Sequence, residues 1–162
     1  MLQIVTFGDA LLRKKSVAIP EVTDEIRLLI ESMFESMYAG KGIGLAAVQV
    51  GRLDRIFIAH VPEDVPRVFI NPEITATSIE QNVFEEGCLS IPGAIADIKR
   101  PDAVRIQAWN ERERPFVVNA GGLLARVIQH ENDHLNGVLF VDLLDKRSRK
   151  RLVDSYSGEA RV

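Results

Sequence analysis

With one cysteine in 162 residues, the chain cannot close a disulfide within itself. That lone thiol, Cys88, suits a reducing compartment. No segment approaches the roughly 18 to 20 consecutive apolar residues of a membrane span. The opening MLQIVTFGDALLRKK has no long apolar run behind a basic start, so it does not read as a secretion signal, and the expected location is the cytoplasm. A surplus of positive charge is missing too: the formal sum is −3 and the pI is near 5.7, which gives no reason to expect DNA or an anionic membrane as partner. Internal repeats and low-complexity tracts are absent, and the prolines and glycines are scattered as turn punctuation without forming a linker. Histidine is nearly as scarce as cysteine, with three copies, so it matters that two of them fall within one five-residue stretch.

At 46% hydrophobic, this length supplies one domain with a real core and is short for two, so residues 1–162 are expected to form a single globular domain, with 145–162 a short basic tail or helix. From Thr23 onward, Ile26, Leu29, Ile30, Met33, Phe34, Met37 and Tyr38 recur at the spacing of one helical stripe. Thr23 is a fitting N-cap, Asp24 and Glu25 favour the positive helix end, and Gly40 and Gly42 supply the stop. The middle of the chain is richer in β-branched and aromatic residues. Strands are predicted over 55–61, 67–70, near 78–85, over 103–109 and over 115–118, the last two forming a hairpin. After Gly121 and Gly122 the helical period returns. Leu123, Leu124, Val127, Ile128 and Leu135 mark its buried side, and Arg126, Asn132 and Asp133 are expected mostly outside it. Gly137 ends this helix, VLFVDLL reads as extended chain, and KRSRKRL reads as a last helix. Strands gathered between helices without βαβ alternation predict an α+β fold, with short, mostly antiparallel sheets around the central helix that carries the HExxH pattern.

That helix carries QHENDHLNG (129–137). Residues four apart return to nearly one face, about 6 Å along the axis, so His130 and His134 can hold one metal ion between them. Glu131 lies beside the pair, a poor third ligand but well placed to act on a water at the same ion. The plain alternative is an amphipathic helix whose histidines pack or face water. Two imidazoles and a carboxylate on an apolar face are costly, however, unless they are paired or bound to a cation.

A zinc-type catalytic ion takes three protein ligands and keeps one position open. His60 is the other histidine, but it lies in a run that reads as a buried strand, where a satisfied core histidine is the simpler account. Cys88, in EEGCLSIPG, has Gly87 before it and Pro92 and Gly93 soon after, a setting for close backbone approach followed by a turn. A free cysteine is commonly just a small buried apolar residue. As a thiolate it would instead complete a soft His2Cys set. In KGIGLAAVQVG (41–51), Gly42 and Gly44 permit a ligand to approach the backbone and Gln49 offers an amide; the spacing is wrong for a phosphate loop.

GIGLAAVQ (42–49), EGCLS (86–90) and QHENDHLNG (129–137) together closely resemble, in order and separation, the three signature motifs of the peptide deformylase family. The resemblance runs from LQIV at the start to LFVDLL near residue 144; Val48 stands where many relatives carry proline or threonine. It implies removal of the N-formyl group from the N-terminal methionine of newly synthesised polypeptides, with release of formate. It implies one divalent ion, Fe(II) first and zinc or nickel as alternatives, held by Cys88, His130 and His134. Glu131 would be the general base and acid, Gln49 and the Leu89 backbone amide would stabilise the oxyanion, and Gly44 would meet the substrate backbone. A methionine pocket is expected beside the ion, with Ile43, Leu124, Val127 and Ile128 as its candidate walls from their nearness to the motifs.

The expected partners are N-formylmethionyl nascent peptides. Lys146, Arg147, Arg149, Lys150 and Arg151 read most simply as a solvated helix face, and more sharply as a transient contact with ribosomal RNA. Two rivals remain. A metallo-endopeptidase also uses HExxH, but its usual third ligand is histidine or glutamate. A non-catalytic metal-containing protein that captures nascent chains would need no general base at Glu131.

Overall fold

Thr23 opens the first helix, α1 (Asp24–Ala39), as expected: its hydroxyl accepts the Ile26 N–H, and Asp24 and Glu25 sit in the first turn. Gly40 caps the other end. The computed structural model describes residues 1–160, with side chains as far as Tyr156; Arg161 and Val162, the last two residues of the expected domain, lie outside the described residues. Seven strands follow α1: β1 (Gly44–Ala46), β2 (Ile56–Ala59), β3 (Arg67–Thr77), β4 (Gln81–Cys88), β5 (Ile91–Pro101), β6 (Ala103–Trp109) and β7 (Pro115–Gly121). The helices α2 (Gly122–Leu135) and α3 (Lys146–Ala160) complete the chain, with short 3-10 turns at Ala10–Arg13, Ala47–Val50 and Phe140–Leu143.

Two sheets form, both antiparallel: a five-stranded one in the order β1-β2-β3-β6-β7, and a separate hairpin of β4 with β5. The architecture is α+β, as the pattern predicts, and β6–β7 is the expected hairpin. No helix among the described residues is long and apolar enough to cross a membrane.

The five-stranded sheet is covered on both faces. In β2, Ile56 and Ile58 turn toward α1, where they join Leu29, Ile30, Met33 and Met37; Phe57 and Ala59 turn the other way, toward Ala125, Ile128 and Leu135 of α2. This period-2 alternation explains why all four β2 residues are buried. Phe57 and Phe69 stack at 4.6 Å between centroids in the α2 layer; fully burying side chains of this size stabilises the fold by about 1.5–3 kcal/mol each. A third cluster of Leu12, Ile91, Ile98, Leu139, Phe140 and Val141 seats the β4–β5 hairpin on the chain after α2.

Several elements depart from expectation. Strand β5 was not predicted: Pro92 and Gly93 interrupt its start, and its alternation begins after a shift in pairing at Gly87/Cys88. Strand β3 runs seven residues past its expected end at Ile70, continuing through register shifts against β6. VLFVDLL, expected extended, winds into the Phe140–Leu143 turn because Asp142 accepts the Leu139 N–H. Arg126, expected outside, is buried at 4% exposure. Gly137 follows α2 with φ +74°, and a side chain there would run into the Arg13 carbonyl, so both backbone shape and space call for glycine.

Candidate active site

On α2, a 100° step per residue lines up Leu123, Val127, His130, Glu131 and His134 along one side, with Val127 also reaching the sheet-facing core. The His130 and His134 rings lie 5.1 Å apart between centroids at an angle of 65°. Cys88 closes β4, and the shift in pairing after Gly87 carries it to the same point. One ligand atom from each of Cys88, His130 and His134 falls within 4.8 Å of the other two, and Cys88 Sγ lies 3.3 Å from His134 Nε2. The third histidine stands elsewhere: His60, half-buried just past β2, is satisfied by the Tyr38 hydroxyl at 2.8 Å and the Asp64 carbonyl at 3.0 Å.

The chemistry of this donor set fits a soft or borderline divalent cation: two imidazoles and one sulfur, with room for a further ligand. The electrostatics fit as well. Burial lowers the His130 pKa, yet nearby Glu131, Cys88 and Glu86 outweigh it and raise the value well above the ordinary one. Surroundings that draw a proton to this ring draw any cation. His134 goes the other way, since burial and then the His130 charge hold it neutral, the form that binds metal. His130 Nδ1 is engaged by Glu86 Oε1 at 2.9 Å, which leaves Nε2 as its ligand atom.

Glu86 is the centre of a buried ionic cluster. Arg100 donates to both of its oxygens at 2.7 and 3.0 Å, and Arg126 donates to Oε2 at 2.7 Å. Burial pushes the Glu86 carboxyl up, but hydrogen bonds from His130 and Arg100 prevail and hold it at about 2. Arg100 also reaches Asp133 at 2.8 Å, so two guanidiniums face two carboxylates.

Glu131 is different. It is 4% exposed, Oε1 has no protein partner, and Oε2 lies against Gly44. Burial is the main cause that lifts its pKa to about 7, so this carboxyl can both take and give a proton near neutrality. Gln49 points at the same place. Its Oε1 accepts the Ala46 N–H at 2.9 Å, which turns Nε2 toward Ser90 Oγ at 3.0 Å and Cys88 Sγ at 3.4 Å.

Gln49, Glu86, Cys88, His130 and Glu131 line a cleft of about 610 Å³ between the loop after α1 and the turn after β4, and His134 lies buried outside its lining. Leu89 lines it, and its side chain packs where Cβ atoms on Gly40 and Gly42 would stand, at 2.9 and 2.8 Å. Of the expected pocket walls, Ile43 and Val127 line the cleft, as does Gly44; Leu124 and Ile128 do not. Those two belong to the sheet-facing core, and Leu123 takes the place expected of Leu124, because one residue along a helix turns the side chain by 100°. Glu86, Ser90, Arg100 and Arg126 were missed from sequence. Glu86 and Ser90 are the ends of the EGCLS motif, and Arg126 stands one helical turn before His130 on the line 126, 130, 134, so these three left a signal there while Arg100 left none.

The polypeptide deformylase family model matches residues 1–150. The peptide deformylase of Azotobacter vinelandii is 49% identical over 154 residues, covering 94% of this chain and 92% of the relative. That of Acinetobacter baumannii is 48% identical over 154 residues, with 94% and 88% covered. The crystal structure of the Ehrlichia chaffeensis peptide deformylase in complex with actinonin superposes with a TM-score of 0.96 at 39% identity, covering all of this chain and 99% of that one. Matches of this extent, over a chain that gathers all three motifs at one cleft, leave one assignment: the protein belongs to the polypeptide deformylase family.

Proposed function

We propose that the chain is a metal-dependent hydrolase that removes the N-formyl group from the N-terminal methionine of newly synthesised polypeptides, releasing formate. The observation that carries the residue roles is that Glu131, Gln49, Cys88 and His130 line one cleft, with His134 Nε2 3.3 Å from the Cys88 sulfur. A divalent ion held by Cys88, His130 and His134 would supply Lewis-acid activation of water and of the formyl oxygen. Glu131 takes the proton of the attacking water as the new C–O bond forms, and returns it to the amine nitrogen as the C–N bond breaks. Gln49 Nε2 donates to the oxygen on which negative charge grows, and the Leu89 backbone N–H is its second donor. Ile43, Val127 and Leu123 offer an apolar seat for the methionine side chain, with Gly44 letting the substrate backbone come close.

Fe(II) is the proposed native ion, and zinc and nickel suit the same donors. The cysteine ligand speaks against the endopeptidase rival. The test is anaerobic purification, metal analysis, and formate release from a formyl-methionyl tripeptide beside its acetylated counterpart. Turnover is expected for the formyl peptide alone; equal rates on both, or none on the formyl peptide, would overturn the reading.

The proposed location is the cytoplasm, where nascent chains emerge. Lys146, Arg147, Arg149, Lys150 and Arg151 are exposed on α3, and Arg149 is engaged with Asp142. Among the described residues the other four form no ion pair, and they are the proposed contacts to ribosomal phosphates. Replacing those four by serine is expected to lower co-sedimentation with ribosomes at low salt, while the parent loses binding steeply as salt rises. Unchanged co-sedimentation would leave the basic face as a solvated surface.

A further inference from the structure

Two of the three metal donors ride on α2, and the third closes a hairpin that shares no backbone ladder with the five-stranded sheet among the described residues. Apart from the Phe7 N–H to Ser90 carbonyl bond at 2.7 Å, which ties the turn after Cys88 to the N-terminal segment, side chains therefore decide where the sulfur stands relative to the imidazoles. Arg126 makes more of these links than any other residue described above. Its Nη1 donates to Glu86 Oε2 at 2.7 Å and to the Ile98 carbonyl at 3.0 Å; its Nη2 donates to the Asn82 carbonyl at 3.0 Å and to Asn82 Oδ1 at 2.7 Å. The guanidinium also lies over the Phe84 ring, 5.2 Å from its centroid.

These contacts form a pattern. Asn82, Phe84 and Glu86 alternate along one face of β4, and the next residue in that alternation is Cys88. Arg126, His130 and His134 form one line on α2. Two strand residues advance about 6.7 Å and four helix residues about 6 Å, so the two lines keep nearly in step. Arg126 grips positions 82, 84 and 86, His130 meets Glu86, and His134 meets Cys88.

We propose that Arg126 is a positioning residue that fixes the Cys88 sulfur against His130 and His134 by clamping the ligand-bearing face of β4 to α2. A planar fork with several donors suits this better than a lysine, whose single ammonium cannot serve both the Glu86 and the Asn82 sides at once. The inference rests on Cys88, His130 and His134 being the metal ligands, and its test reads the metal site directly.

Arg126→Met keeps the stem and drops the fork, while Glu86 keeps Arg100 and His130 as partners. In the cobalt-substituted holoprotein, the sulfur-to-cobalt charge-transfer band is expected to shift and weaken, and a chelator to strip the metal about 10–100-fold faster. Arg126→Lys is expected to restore the stripping rate only in part. A folded Arg126→Met protein with the parental band and stripping rate overturns the proposal, even if its melting temperature falls, since that is the mark of a packing role only. Should Arg126→Met fail to fold, Asn82→Ala decides: removing this half-buried anchor is expected to speed stripping about fivefold with a visible change in the band. Parental values for Asn82→Ala overturn the proposal too. Parent protein that takes up no cobalt would instead defeat the assignment of the ligands, and the clamp with it.

Discussion

Glu131→Gln is expected to hold its metal as the parent does and to release formate about 10²–10⁴-fold more slowly, the range that positioned proton transfer contributes. The amide matches the carboxylate in shape, so the buried site beside Gly44 and Val127 stays filled. What changes is the proton chemistry. Burial places the Glu131 carboxyl at about 7, where it exchanges protons readily with a reacting water and a leaving amine, whereas glutamine does neither. Glu131 is not one of the three ligand donors, so metal content is expected to be unchanged. The pair of measurements separates the enzyme from a silent binder of nascent chains: a binder would lose nothing on this substitution. Near-parental turnover in metal-replete Glu131→Gln would remove Glu131 from the mechanism.

Gly44→Ala is expected to lower kcat/KM by 10²-fold or more while the metal stays in place. A Cβ at this position would stand 2.5 Å from Glu131 Oε2 and 2.7 Å from Val127 Cγ1. The strand cannot easily give way, because Gly44 pairs with Ala59 of β2 and Ala46 of the same strand is fully buried against the α2 layer. The carboxylate must yield instead, and a displacement near 1 Å of a group that handles protons costs on the order of a hundredfold in rate. The added methyl also stands where the peptide backbone is proposed to pass, so KM should rise as kcat falls. Gly40→Ala provides the contrast: its nearest clash, at 2.9 Å, is with the tip of the Leu89 side chain, which can rotate aside. Its loss is expected to be within tenfold. Steady-state kinetics on a formyl-methionyl tripeptide with metal analysis of both variants checks this, and a Gly44→Ala enzyme within tenfold of the parent would show that the contact is easily relieved.

The metal donors were legible in the sequence because helix geometry fixes what four-residue spacing means, and because Cys88 sits where glycine and proline force a close approach and a turn. The helix caps at Thr23 and Gly137 and the β6–β7 hairpin were legible for the same local reason. What failed to show was nonlocal. Arg126 reads as a surface residue until β4, some 40 positions earlier, brings Glu86 and Asn82 to it. Ser90 acquires its meaning only through Gln49, 41 residues away. The exchange of Leu124 for Leu123 shows a limit of periodicity: two adjacent leucines on a helix with apolar contacts on two sides look alike until the direction of the cleft is known. Strand β5 was hidden because Pro92 and Gly93 break its pattern where pairing shifts.

The Glu86 cluster has a bearing on how the chain assembles. Sliding β4 by two residues would keep the same strand face toward α2 but seat Phe84 or Cys88 where Glu86 belongs, so face alternation alone does not set the alignment. The ions discriminate sharply: either slip strands two sequestered guanidiniums without their shared counter-charge, a penalty of about 3–5 kcal/mol when one member of such a pair is lost. The cluster thus proofreads the docking of the hairpin, and the sulfur reaches its station only in the one alignment that passes.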